Sequence, residues 1–453
     1  MTAAVFRHSS PRRAPRLAFA GALAASIVLT GCDTGWLGER SAPPLPGKRI
    51  SVLSREKQIE PEISGPVAKV VLPPPEANED WPQAGGYSNH AMQHMVAEGE
   101  LQEAWSVNAG SGSSKRRRLL GQPVVAEGKV FTVDAASQVS AFNAETGKRL
   151  WGTDTIPSDN SNVYTSGGIA YDEGRVFVAT GFAQVVALDA ASGRILWRQT
   201  VSGPMRGAPT VRGGRVFAVT VDNQTHTLAA EDGTVLWTHS GITEATGLLA
   251  GNSPAVDGNM VLVPYSSGEL FALRVDTGVP IWQDSLVTIR RTEIIGALMD
   301  IRGRPAIDRG RVYAISNGDM LVCLDQKTGR RLWEKEIGGV ESPWVAGDYL
   351  FLLTNNNEAV AVEAKTGRIV WVTQMQSWED PKDKDGRIMW SGPVLVSDRL
   401  ILGSSDGKLV SLSPYTGDML GWERAPDGVS IAPVVANGTL YFLTDEADLV
   451  AYR

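Results

Sequence analysis

From residue 101 to residue 453 the chain runs in short blocks with one repeated order of apolar and polar positions. A block opens on a Pro-Val-like stretch, as in Gln122-Pro-Val-Val125, Ala208-Pro-Thr-Val211, Ser253-Pro-Ala-Val256 and Gly392-Pro-Val-Leu395. A glycine turn follows (Gly128, Gly174, Gly214, Gly258, Gly310, Gly347), then a β-branched run such as Arg175-Val-Phe-Val178. A second turn leads to an alternating stretch such as Val185-Val-Ala-Leu188 or Leu270-Phe-Ala-Leu273. Period-two alternation punctuated by Gly, Asp and Asn predicts strands joined by hairpins, with helices almost absent.

Each block ends on a small residue or Asp, a Thr-Gly-like turn, and a Trp: Gly147 to Trp151, Gly193 to Trp197, Gly233 to Trp237, Gly278 to Trp282, Gly329 to Trp333, Gly367 to Trp371 and Gly417 to Trp422. The last carries one residue inserted before the Trp. Successive Trp residues are 46, 40, 45, 51, 38 and 51 apart, close to the period of a four-stranded propeller blade. The fixed place of these Trp residues assigns them to the core between blades, not to ligand stacking. Block interiors number eight, because Ala432-Pro-Val-Val435 to Leu449-Val-Ala-Tyr452 stops before any Trp strand. A lone strand of the missing type, Leu101 to Val107 with Trp105, precedes the first block. The expectation is an all-β chain: a single eight-bladed β-propeller of four-stranded blades over 81–453, whose N-terminal strand completes the last blade and removes the open edge.

The first residues read as an address. Residues 1–31 contain no acidic residue, carry Arg7, Arg12, Arg13 and Arg16, and hold an apolar run from Leu17 to Leu29. That run is too short to span a hydrocarbon core of about 30 Å and fits a secretory signal. Leu29-Thr30-Gly31-Cys32 resembles a bacterial lipobox, so residues 1–31 are expected to be a lipoprotein signal peptide and Cys32 the acylated (palmitate-bearing) first residue. Residues 32–80, with Pro43-Pro44 and Pro73-Pro74-Pro75, read as a Pro-rich tether.

Charge and residue counts narrow the chemistry. A net charge of -7 argues against a nucleic-acid binder. Two cysteines and five histidines give neither a disulfide framework nor a multi-His metal centre. Cys323 sits in the apolar run Met320 to Leu324 and reads as a small buried hydrophobe. Asp380 to Gly386 resembles a calcium loop only faintly: with Asp383 at position 3, position 12 is Gly392, where a bidentate Glu is needed. His90 and His94 have i, i+4 spacing without a third ligand nearby. Gly110-Ser-Gly-Ser-Ser lacks the strand–loop–helix setting of a phosphate loop. Lys115-Arg-Arg-Arg118 is a basic run in the loop entering the first blade, suited to a solvated loop, anionic lipid or an acidic partner. The expectation is no catalytic residue, no metal and no cofactor.

Lipobox, tether, Trp strand and eight blocks together resemble the BamB family of outer-membrane assembly lipoproteins. The blade motif and the opening Asp80-Trp-Pro-Gln-Ala-Gly85 are also similar to the pyrroloquinoline-quinone (PQQ) dehydrogenases, the alternative reading. Those enzymes typically carry an adjacent Cys–Cys pair and longer insertions, which this chain lacks. The BamB resemblance implies a non-catalytic scaffold, monomeric on its own and lipid-anchored in the outer membrane facing the periplasm. It also implies binding to the POTRA domains of BamA, to other assembly subunits and to unfolded outer-membrane protein clients. Asp33, after the lipidated Cys, is a departure: in enteric bacteria Asp there favours inner-membrane retention. The family's partner-facing residues lie on two loops entering adjacent central blades. Here they match Gly247-Leu248-Leu249-Ala250-Gly251 and Asp300-Ile301-Arg302; only Leu249 and Asp300 carry over residue for residue, with Leu248 as a displaced apolar contact.

Overall fold

The computed structural model describes residues 59–62, 70–97, 101–159, 167–244, 253–287 and 300–453; the signal peptide, Cys32 and most of the tether fall outside them. Eight four-stranded antiparallel sheets follow one another along the chain. Blades 1 to 7 occupy 124–154, 168–200, 210–240, 255–285, 306–335, 344–374 and 390–424; blade 8 takes 434–452. No helix occurs among the described residues. Strand Glu103–Asn108 pairs antiparallel with Asp448–Tyr452 as the outer strand of blade 8, Trp105 opposite Ala451 and Val107 opposite Leu449. Gln102 and Arg453 exchange backbone hydrogen bonds of 2.8 and 2.9 Å. The expected ring closure is present.

The Asp-x-x-Thr-Gly-x-x-x-Trp motif is one packing device, repeated. In blade 5 the Asp325 carboxylate accepts the Thr328 backbone N–H at 2.9 Å and its hydroxyl at 2.7 Å, which folds the turn. The glycine that follows adopts positive φ, +70° at Gly278, a region closed to most L residues. Its open face receives the indole of the preceding blade. Trp105, Trp151, Trp197, Trp237, Trp282, Trp333 and Trp371 each press on the turn glycine of the next blade. Each also donates its Nε1–H to a carbonyl of that turn, at 2.8 to 3.2 Å.

Trp422 departs from this expectation. In the register of blade 1 Trp151 stands opposite Ala141; in blade 7 the equivalent pair is Gly421 opposite Ser411. The inserted residue thus puts Gly421 in the Trp position. Because side chains alternate along a strand, Trp422 falls on the other side, where it is 55 % exposed. It is not interblade core.

A second correction concerns the start of the body. Glu62 already pairs with blades 5 and 6, its N–H bonding Ile369 O at 2.9 Å and its carboxylate the Lys335 ammonium at 2.7 Å. Val70 is buried. Residues 76–97 then make one circuit of the ring, bonding every inner strand or its following turn. Asn78 donates to Val435 O of blade 8 (2.6 Å), and Trp81 exchanges backbone bonds with Val125 of blade 1. Pro82 O accepts from Tyr171 of blade 2 (2.7 Å), and Gln83 bonds both backbone groups of Val211 in blade 3. Ser88 pairs with Val256 of blade 4 and Asn89 with Ile307 of blade 5. Gln93 accepts from Gly347 of blade 6 (2.9 Å), and Met95 O accepts from Ser397 of blade 7 (2.9 Å). Glu76 and Met95 bridge, closing the circuit on itself. The Pro-rich stretch before residue 81 therefore ends as part of the propeller: the compact unit begins at Ile59.

Candidate partner-binding face

The circuit of residues 76–97 occupies the side of the ring where first and second strands turn. The opposite side carries the connections from one blade to the next, and these are the longer ones, at 155–167, 241–254 and 286–305. Leu248 and Leu249 lie outside the described residues, as does Cys32. Asp300 is described. It stands at the end of the connection entering blade 5, its carbonyl accepting Asn317 N–H at 2.9 Å, and it is 3 % exposed.

The ends of the two expected loops lie within electrostatic reach of each other. Burial first, then the neighbouring charges of Asp300 and Glu269, push the Glu244 carboxyl above the ordinary range. Glu269 in turn accepts the Ile242 backbone N–H at 2.7 Å, and Asn223 Nδ2 donates to Ile242 O at 2.6 Å. With both backbone groups held, Ile242 shows its side chain to solvent, 63 % exposed. Val221 and Val287, in the adjoining turn and connection, are exposed as well. An apolar patch with a fixed backbone is a better docking element than a solvated loop. Sequence reading missed these three residues because nothing local separates an exposed Ile in a loop from a buried one.

The axis of the open side is basic at its centre. Arg302 and Arg304 lie within electrostatic reach of Glu341, whose carboxyl burial pushes up against the downward pull of the two guanidiniums. With Gln122, Arg206 and Ser430 they line a cavity of about 70 Å³. An adjoining space of about 30 Å³ reaches Trp81 and His90. A water occupies ~30 Å³, so the enclosed part of this channel has room for a few waters. The basic run Lys115 to Arg118 enters blade 1, three to four blades away from the Glu244–Asp300 region around the ring.

The remaining candidate chemistry is absorbed by the fold. His90 Nδ1 bonds Pro305 O and His94 Nδ1 bonds Pro73 O, both at 2.8 Å, so the two rings serve different backbone partners. No group of three or more His, Cys, Asp or Glu among the described residues is placed to hold a metal. Cys323 is fully buried, opposite Trp333, at the register position held by Ala141 and Ala187 in blades 1 and 2. Burial pushes its thiol up to about 12. The Asp380–Gly386 run forms the exposed ribbon Trp378–Asp380 with Asp385–Arg387 between blades 6 and 7.

Comparison with known proteins places this architecture. The family profile described as "Outer membrane protein assembly factor BamB" matches residues 155–373. The outer membrane protein assembly factor BamB of Yersinia pestis is 28% identical over 366 residues, 77% of this chain and 88% of the relative. The chain is similar to these assembly factors over most of its length. BamB of Escherichia coli is 28% identical over 342 residues, 74% of this chain and 85% of that protein. The crystal structure of BamB from Moraxella catarrhalis superposes with a TM-score of 0.66 at 19% identity, covering 78% of this chain and all of that one. A profile of the glucose/ethanol/alcohol dehydrogenase β-propeller domain also matches, over 87–196 and 336–421. The quinohemoprotein alcohol dehydrogenase of Comamonas testosteroni reaches a TM-score of 0.64 at 16% identity, covering 83% of this chain and 80% of that enzyme. At that identity the likeness is one of fold.

Proposed function

We propose that this protein is a non-catalytic scaffold of the outer-membrane β-barrel assembly machinery, binding the POTRA region of BamA through the open side of blades 4 and 5. The observation that carries this reading is the one-sided ring. Residues 76–97 occupy one side down to each blade's inner strand, which leaves the other for a partner. There Ile242 is exposed on a fixed backbone, in the connection whose sequence continues to Leu248 and Leu249. The relatives named as assembly factors support the same role. In this reading Leu248, Leu249 and Ile242 face the partner. Asp300, being buried, holds the base of its loop.

The anchor belongs to the proposal as well: lipid on Cys32 tethers the body to the outer membrane on the periplasmic side. Mass spectrometry of the mature N-terminus tests it, and an unmodified first residue other than Cys32 removes it. For the partner, calorimetric titration against isolated POTRA domains is decisive. Leu249→Asp and Ile242→Asp each weaken binding at least tenfold, about 1.4 kcal/mol, with unchanged melting temperature. Undiminished binding by both variants places the partner elsewhere.

A further inference from the structure

At seven junctions between blades, the wedge between neighbouring outer edges is filled by an indole from one blade and closed by a glycine turn from the next. The junction of blades 7 and 8 lacks both. Gly421 holds the Trp position, and the turn is missing because blade 8 joins its third and outer strands through the two ends of the propeller, Tyr452 and Glu103. The result is a groove of about 360 Å³ whose apolar lining is Leu101, Ile401, Leu409, Leu420, Leu440 and Tyr452, with Arg399, Ser411 and Glu423 also lining it. A Cβ built on Gly421 meets nothing within 4 Å. Met419, Leu420 and Trp422 leave this rim apolar and exposed.

We propose that this groove binds an aromatic side chain of an extended client strand. The occupant follows from the ring itself. The same surface, built from the same register, is covered at every other junction by an aromatic residue on a β-strand, so the groove continues an established interface whose eighth member is absent. Strands of outer-membrane barrels alternate in polarity and carry aromatic girdles at both membrane interfaces. They offer that knob on that backbone. The inference rests on the assembly-factor reading for the kind of partner, but not on the BamA-binding loops, which lie on the open side and not at this rim.

The test uses the whole mature chain and two labelled ten-residue peptides of alternating polarity, one with a central Trp and a twin with Ala in its place, followed by fluorescence anisotropy. The Trp peptide binds at least tenfold more tightly than its twin. Gly421→Trp fills the wedge from within, raises the melting temperature and weakens the Trp peptide at least tenfold. Ser411→Trp, from the neighbouring strand, does the same and guards against a defect peculiar to one variant. Equal binding of the twins, no binding of either, or binding untouched by both substitutions overturns the proposal. So does a wild-type dimer on size exclusion that Gly421→Trp dissociates, which would make a second copy the occupant. POTRA titration of the same variants is unchanged in every case; failure of wild-type protein to bind POTRA domains would defeat the assembly-factor reading instead.

Discussion

The indole of Trp237 lies against Gly278 so closely that a Cβ on the glycine would stand 2.5 Å from Trp237 Cε3, while Nε1 donates to Val275 O at 2.9 Å. Blade 3 is locked to blade 4 by a contact that admits no side chain. Gly278 also has φ +70°. Gly258, in the neighbouring turn of the same blade, has φ +55° and open space around it. Gly278→Ala is therefore expected to cost about 2–5 kcal/mol, strain and overpacking together. Gly258→Ala costs about 1–2 kcal/mol, strain alone. Urea titration of both variants separates the two effects, and equal costs would show that the indole yields.

Truncations separate tether from circuit. Removing residues 33–58 leaves the melting temperature unchanged, since the compact unit starts at Ile59. Removing 33–97 strips hydrogen bonds from all eight inner strands and lowers the midpoint by about 10 °C or more, a loss of several kcal/mol. Extending the deletion through Val107 takes away the outer strand of blade 8 and lowers it again. Coincident midpoints for the first two would mean that the circuit is decoration.

His90 makes stability depend on pH. It is buried in the circuit at φ +58°. Burial, and then the adjacent Arg304 charge, hold its imidazole down at about 3, against a weak upward pull from the Pro305 carbonyl. An unfolded His titrates near 6.5, so below that pH the unfolded chain takes up a proton that the folded one refuses. Stability is complete above about pH 6.5 and falls towards pH 3, by at most about 1.4 kcal/mol per pH unit. His226 and His239 are also lowered, chiefly by burial, and act in the same direction. His90→Asn, which tolerates positive φ, flattens the dependence between pH 7.5 and 5.0 in urea titrations. An unaltered slope would assign the acid sensitivity to other groups.

Cys323 stands where other blades place alanine. Cys323→Ala is expected to cost less than about 1.5 kcal/mol, as a near-conservative change in volume. With its thiol pushed up to about 12 by burial, the native protein does not react with a thiol reagent at pH 8 until denatured. Rapid labelling of the native protein would show that blade 5 opens locally.

Alternation of period two, the Thr-Gly turns and the Trp spacing are local properties, and they determined the blades, their number and the closure by Glu103–Asn108 before any coordinates. Cys323 was legible for the same reason: its neighbours in sequence are its neighbours in the strand. Three features needed tertiary structure. The circuit of residues 76–97 depends on contacts such as Asn78 to Val435, 357 residues apart, between a segment without periodicity and strands that read the same with or without it. The insertion before Trp422 was visible, but whether Gly421 or Trp422 would enter the interblade wedge was set by pairing with Ser411 and Val410. The exposed patch at Ile242 exists because Glu269 and Asn223 hold that backbone from neighbouring turns. Periodicity encodes which residues share a face of one strand; what covers that face is decided by chain brought back from far away, and a single sequence carries no local mark of it.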